Sequence, residues 1–95
     1  MALLDDAAIE AAIRDTAWQR DGHALVLVAR RRDFRDAIAF VNAIADEAER
    51  RDHHPDICVR RYRTVELRLT SHDAGGITDR DVALARAIDA LSTAD

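Results

Sequence analysis

Three of the four histidines in this 95-residue chain stand where side chains could do proton chemistry. His53 and His54 are adjacent and precede Pro55, while His72 lies further along, just ahead of the Gly75-Gly76 pair. An imidazole titrates near neutrality, so it can hold or release a proton at working pH and serve as general acid or general base. Two carboxylates stand at telling distances from them. Glu49 precedes His53 by one helical repeat, which puts both on one face if the helix persists that far. Asp81 follows Thr78 at the spacing of a capping box, with aspartate in place of the usual glutamate, so capping and a catalytic role are both open to it. His23 follows Asp21-Gly22 and reads as a solvated hairpin residue. His53, His54, His72 and Glu49 are also residue types that suit zinc, although adjacent histidines rarely ligate one ion together.

Elements must bring these groups to one place. Asp5 or Asp6 can cap a first helix carrying Ile9, Ala12, Ile13 and Ala17, a narrow stripe suited to the surface of a core. Trp18–Arg20 and the apolar run from Ala24 read as a hairpin about Asp21-Gly22. The second strand, about 24–31, is apolar on both faces, which predicts a central or well-covered position. Asp33 can cap the longest helix, with Phe34, Ala37, Ile38, Val41, Ala45 and Ala48 as its stripe and Phe40, Ile44 and Glu47 flanking it. That helix ends near Arg51, because Pro55 pushes His54 out of the α region.

Alternation at Ile57, Val59 and Arg61, and again at Val65, Leu67 and Leu69, predicts two more strands joined through Tyr62-Arg63-Thr64. A glycine loop then leads to Thr78 and a third helix with Leu84, Ala85, Ile88 and Leu91 inward. The expected fold is α+β in two layers: a four-stranded antiparallel sheet with three helices on one face, in the order α-β-β-α-β-β-α. One domain is expected over residues 1–95.

Composition narrows the function. A net charge of −4 opposes nucleic-acid binding, and no apolar run approaches the length needed to span a bilayer. All fourteen basic residues are arginine, clustered at Arg30–Arg32 and at Arg60, Arg61 and Arg63; these read as solvated strand ends paired with the many aspartates. A single cysteine, Cys58, allows no internal disulfide and no Cys-x-x-Cys pair, which points to a reduced, cytoplasmic protein. Only four aromatic residues are present among much alanine, so the core is thin and a homo-oligomer is expected.

Two segments resemble the signature of the pterin-4a-carbinolamine dehydratase family: Glu49-Arg50-Arg51-Asp52-His53-His54-Pro55-Asp56-Ile57, and Ser71-His72-Asp73-Ala74-Gly75-Gly76-Ile77-Thr78-Asp79-Arg80-Asp81. Tyr62, Val65, Trp18 and the block from Asp33 to Phe40 also match, so the likeness covers nearly the whole chain. It implies the same element order, with dimers through sheet edges and tetramers through helices. It also implies dehydration of 4a-hydroxytetrahydropterins, which aromatic amino-acid hydroxylases leave behind, to quinonoid dihydropterins without metal or other cofactor.

By that resemblance His53 and His72 are the acid–base pair, and His54 orients the pterin near its 4a-hydroxyl. Glu49 is expected to hold His53 in one tautomer, and Asp81 to support His72 or the substrate. Two departures stand out: Ile57 occupies a position that is tryptophan in many members, and Ser71 stands for the usual threonine. The lost aromatic leaves either Trp18 as a candidate stacking surface for the pterin ring or a more open pocket. The alternative, also implied by the resemblance, is a non-catalytic protein-binding or assembly module on the same fold.

Overall fold

Capping aspartates open the first two helices where the sequence predicts them. Asp5 accepts the Ala8 N–H at 2.8 Å and starts α1 (Asp6–Ile13), and Asp33 accepts the Asp36 N–H at 2.8 Å and starts α2 (Phe34–Arg51). The computed structural model describes residues 2–93, so the first residue and the last two of the expected domain lie outside it. The remaining elements are β1 (Gln19–Asp21), β2 (Ala24–Arg30), β3 (Asp56–Arg60), β4 (Thr64–Leu69) and α3 (Asp79–Thr93). The order is α-β-β-α-β-β-α, as expected.

The strands form one antiparallel sheet in the order β1-β2-β4-β3. Leu25 pairs with Leu69 and Leu27 with Leu67, so one sheet face carries a row of buried leucines. The helices cover that face with Ile9, Ala37, Phe40, Ile44, Ala48, Leu84, Ala85 and Ile88, all within a single core cluster. Burial of this kind yields about 25 cal/mol per Å² of apolar surface, and it is what fixes the sheet register.

Four details depart from the sequence reading. The β1–β2 connection is Gly22-His23 rather than Asp21-Gly22, since Asp21 still pairs with Ala24. Gly22 alone takes positive φ (+59°), as the first central position of a type II′ turn requires. In α2 the supposed flank, Phe40 and Ile44, faces the core, whereas Phe34 and Ile38 are exposed. An α2 with apolar residues on two sides can bury only one of them in a single chain. Likewise β2 is central, but the side chain of Val28 is 63% exposed, on the sheet face the helices leave open.

The arginine clusters divide. Arg60 pairs with Glu66, and the exposed Arg32 approaches Asp36, as expected of solvated strand ends. Arg31 is instead buried, lies against the Phe40 ring at 4.4 Å and pairs with Asp36.

Candidate active site

The end of α2 delivers the first two histidines. Asp52 turns left-handed (φ 48°, ψ 44°), its N–H bonding back to Ala48 and Glu49, and the His53 N–H reaches the Ala48 carbonyl at 3.1 Å. These are the paired bonds of a Schellman motif, and they stop the helix before Pro55 acts. The reversal separates the two imidazoles. His53 is turned inward and is 7% exposed, while His54 stays in solvent.

The third histidine comes from the β4–α3 connection. Ser71 and Gly76 form an isolated bridge, and the Ser71 carbonyl receives N–H groups from Ala74 and Gly75, with Gly75 at φ +77°. His72 projects from this tight loop and is exposed. Arg80, in the first turn of α3, holds the loop through Asp73 at 3.1 Å and 3.3 Å.

Asp81 lies beneath both segments, fully buried. Its Oδ2 accepts the Thr78 N–H at 2.9 Å and the Ser71 hydroxyl at 2.7 Å, while Thr78 Oγ1 accepts the Arg80 N–H at 3.3 Å. The capping role is therefore met. Its other oxygen, Oδ1, lies 2.6 Å from His53 Nε2. One carboxylate thus caps α3 and anchors an imidazole from a distant part of the chain.

This geometry corrects two pairings expected from the resemblance. Glu49 does not meet His53; its Oε2 lies 2.5 Å from His54 Nε2 instead. The reason is the left-handed Asp52, which ends the helical repeat that would have stacked residue 53 over residue 49. Asp81 meets His53 and not His72. Among the described residues the His72 side chain makes no hydrogen bond, whereas those of His53 and His54 each meet a carboxylate.

His53, His54 and His72 line one cleft of about 340 Å³ together with Asp52, Thr70, Asp73 and Arg80. Glu49 and Asp81 reach it through the imidazoles they hold. Trp18 cannot supply a stacking face, because it is 3% exposed within the core. The planar groups on the cleft are the imidazoles and the Arg80 guanidinium, which stacks readily on flat rings. Among the described residues, no three His, Cys, Asp or Glu side chains are grouped as metal ligands would be.

The sequence reading does not single out Asp52, Thr70, Asp73 or Arg80 as cleft residues. Asp52 was signalled by its position, since the residue between a helix end and His-His-Pro must reverse the chain. Arg80 carried no signal beyond its neighbour Asp81.

An antiparallel α+β sheet with a three-histidine cleft at the joined ends of α2 and β4 defines a class that the comparisons specify further. The family model described as pterin 4 alpha carbinolamine dehydratase matches residues 2–91. A relative from Thermomicrobium roseum that carries the family's name is 50% identical over 94 residues, covering 98% of this chain and 100% of its own. One from Nocardia farcinica is 45% identical, with 95% of each chain covered. The crystal structure of a transcriptional coactivator/pterin dehydratase from Brucella melitensis superposes with a TM-score of 0.89 at 29% identity, over 96% of this chain and 99% of that one. A pterin dehydratase-like protein identified as a RuBisCO assembly factor of the alpha-carboxysome shares the fold, with a TM-score of 0.67 at 21% identity, over 84% of this chain and 92% of that one. The chain belongs to the pterin-4a-carbinolamine dehydratase family.

Proposed function

We propose that this protein dehydrates 4a-hydroxytetrahydropterins, such as 4a-hydroxytetrahydrobiopterin, to the quinonoid dihydropterin and water. What carries the reading is the meeting of imidazoles from two distant chain segments on one cleft. In the reaction the N5 lone pair forms a C=N bond to C4a as the C4a–O bond breaks. An acid protonates the departing hydroxide to water, and a base removes the N5 proton. His53 and His72 are the acid–base pair. His54, held by Glu49, orients the substrate near its 4a-hydroxyl. Proton transfer by placed groups of this kind is worth about 10²–10⁴ in rate. In this reading the protein works in the cytoplasm, recycling tetrahydrobiopterin for a pterin-dependent hydroxylase.

The test is turnover of chemically generated 4a-hydroxytetrahydropterin, with the spontaneous rate subtracted. His72→Ala is expected to lose most of the acceleration. His72 is exposed and among the described residues its side chain makes no hydrogen bond, so the variant is expected to keep its fold, and a variant as fast as wild type removes the assignment.

A second reading, a protein-binding module, draws on the uncovered apolar side chains of Val28, Phe34 and Ile38. The same surfaces suit self-association, and a homodimer or homotetramer accounts for them without loss of the cleft.

A further inference from the structure

We infer that Ser71 is a positioning residue of the cleft, one whose hydroxyl fixes the Asp81 carboxylate and, through it, the ring of His53. The inference rests on the dehydratase reading for its kinetic consequence, but not for its structural one.

The direction of each short hydrogen bond in the network can be worked out. Asp81, as a carboxylate, only accepts. Ser71 Oγ lies 2.7 Å from Asp81 Oδ2, so the single serine proton goes there. Ser71 Oγ also lies 2.8 Å from Thr78 Oγ1, and with its own proton committed it accepts from threonine at that contact. Thr78 Oγ1 in turn accepts the Arg80 N–H at 3.3 Å. The chain of donors therefore runs from the first turn of α3 through Thr78 and Ser71 to Asp81, without a mismatched pair.

Two close donors, the Ser71 hydroxyl and the Thr78 N–H, converge on Oδ2, with Thr78 Oγ1 farther off at 3.5 Å. They hold the carboxylate plane so that Oδ1 presents its lone pair to His53 Nε2 at 2.6 Å. The ring then carries its proton on Nε2, and in the neutral imidazole Nδ1 is the nitrogen with a free lone pair. Ser71, Thr78 and Asp81 are at most 1% exposed, so no water stands in for a lost donor. Without the serine hydroxyl, Oδ2 keeps the Thr78 N–H at 2.9 Å and otherwise only the long 3.5 Å contact from Thr78 Oγ1. The carboxylate gains freedom about its Cβ–Cγ bond, and the imidazole loses its fixed orientation.

The experiment compares wild type, Ser71→Ala, Ser71→Cys and Ser71→Thr by proton and ¹⁵N spectroscopy of histidine-labelled protein and by steady-state turnover. Wild type is expected to show a downfield His53 Nε2–H resonance. In Ser71→Ala that resonance moves upfield and broadens, and kcat falls about tenfold, the effect of one weakened charged hydrogen bond, with KM changed far less. Ser71→Thr restores both. Ser71→Cys keeps the side-chain connectivity and fills the site with a slightly larger atom that donates weakly, so it falls between, and it decides the matter if the alanine variant does not fold. A folded Ser71→Ala or Ser71→Cys protein with the wild-type resonance and wild-type kcat overturns the inference, as does a wild-type His53 protonated on Nδ1. Absence of turnover in wild type would defeat the dehydratase reading, while the resonance would still decide the role of Ser71.

Discussion

Replacing Asp81 by asparagine changes one oxygen to an NH2 group and removes one charge, yet keeps the shape of the side chain. The surroundings dictate how the amide must lie. The Thr78 N–H, 2.9 Å from Oδ2, can only donate, so the amide oxygen is driven to that side and the NH2 faces His53 Nε2. That nitrogen must then accept, and the ring proton moves to Nδ1. The lone pair that wild type keeps on Nδ1 is lost. In serine proteases the corresponding change, a carboxylate replaced by an amide behind a catalytic imidazole, costs about 10⁴ in kcat through the wrong tautomer. In the proposed dehydration, proton transfer by one imidazole is a smaller share of the barrier, so kcat is expected to fall about 10²-fold, with the spontaneous reaction as the floor. Weaker hydrogen bonds at a fully buried site cost roughly 1–2 kcal/mol, and each kcal/mol lowers Tm by about 4–8 °C in a domain of this size. The assay therefore follows dihydropterin formation in stopped flow well below the variant's Tm, with folding checked by circular dichroism. A folded Asp81→Asn protein with wild-type kcat would refute the reasoning.

Two further outcomes follow from other parts of the molecule. The Asp36 carboxyl is held below the usual carboxylate range, first by the Arg32 N–H at 3.0 Å, opposed by partial burial and helped by the charges of Arg31 and Arg32. A depressed folded value means that its stabilisation is fully present above the unfolded value near 4 and fades as pH falls through the folded one. Urea midpoints should accordingly separate wild type from Asp36→Asn at neutral pH and converge in acid below about pH 4; a gap that persists there contradicts the assignment. Phe34 and Ile38 are 53% and 37% exposed on the side of α2 away from the core; if the proposed homo-oligomer forms through this face, Phe34→Arg with Ile38→Glu is expected to lower the sedimentation coefficient while the monomer stays folded. An unchanged sedimentation coefficient would mean that this face is not where copies meet.

Much of the site could be read from local spacing. Glu49 to Pro55 and Ser71 to Asp81 name the three histidines and both carboxylates, and hydrophobic periodicity supplies the order of the elements. Those properties are local: a helix or strand registers its own repeat, and a capping aspartate acts within one turn. What the chain could not reveal by itself was which carboxylate serves which imidazole. Spacing allowed Glu49 and His53 one helical face and the resemblance implied their pairing, but the left-handed turn at Asp52 sends His53 inward to Asp81 and leaves His54 to Glu49. The inward face of α2 was hidden for a related reason. Phe34 and Phe40 are equally apolar, and only the position of the sheet beneath the helix decides which of them is buried. Trp18, an aromatic that could have served either a core or a ligand, was taken by the core for the same cause. Sequence determined the parts and their local conformations; packing decided the partners, because a buried charge and a buried ring must each satisfy a neighbour that arrives from elsewhere in the chain.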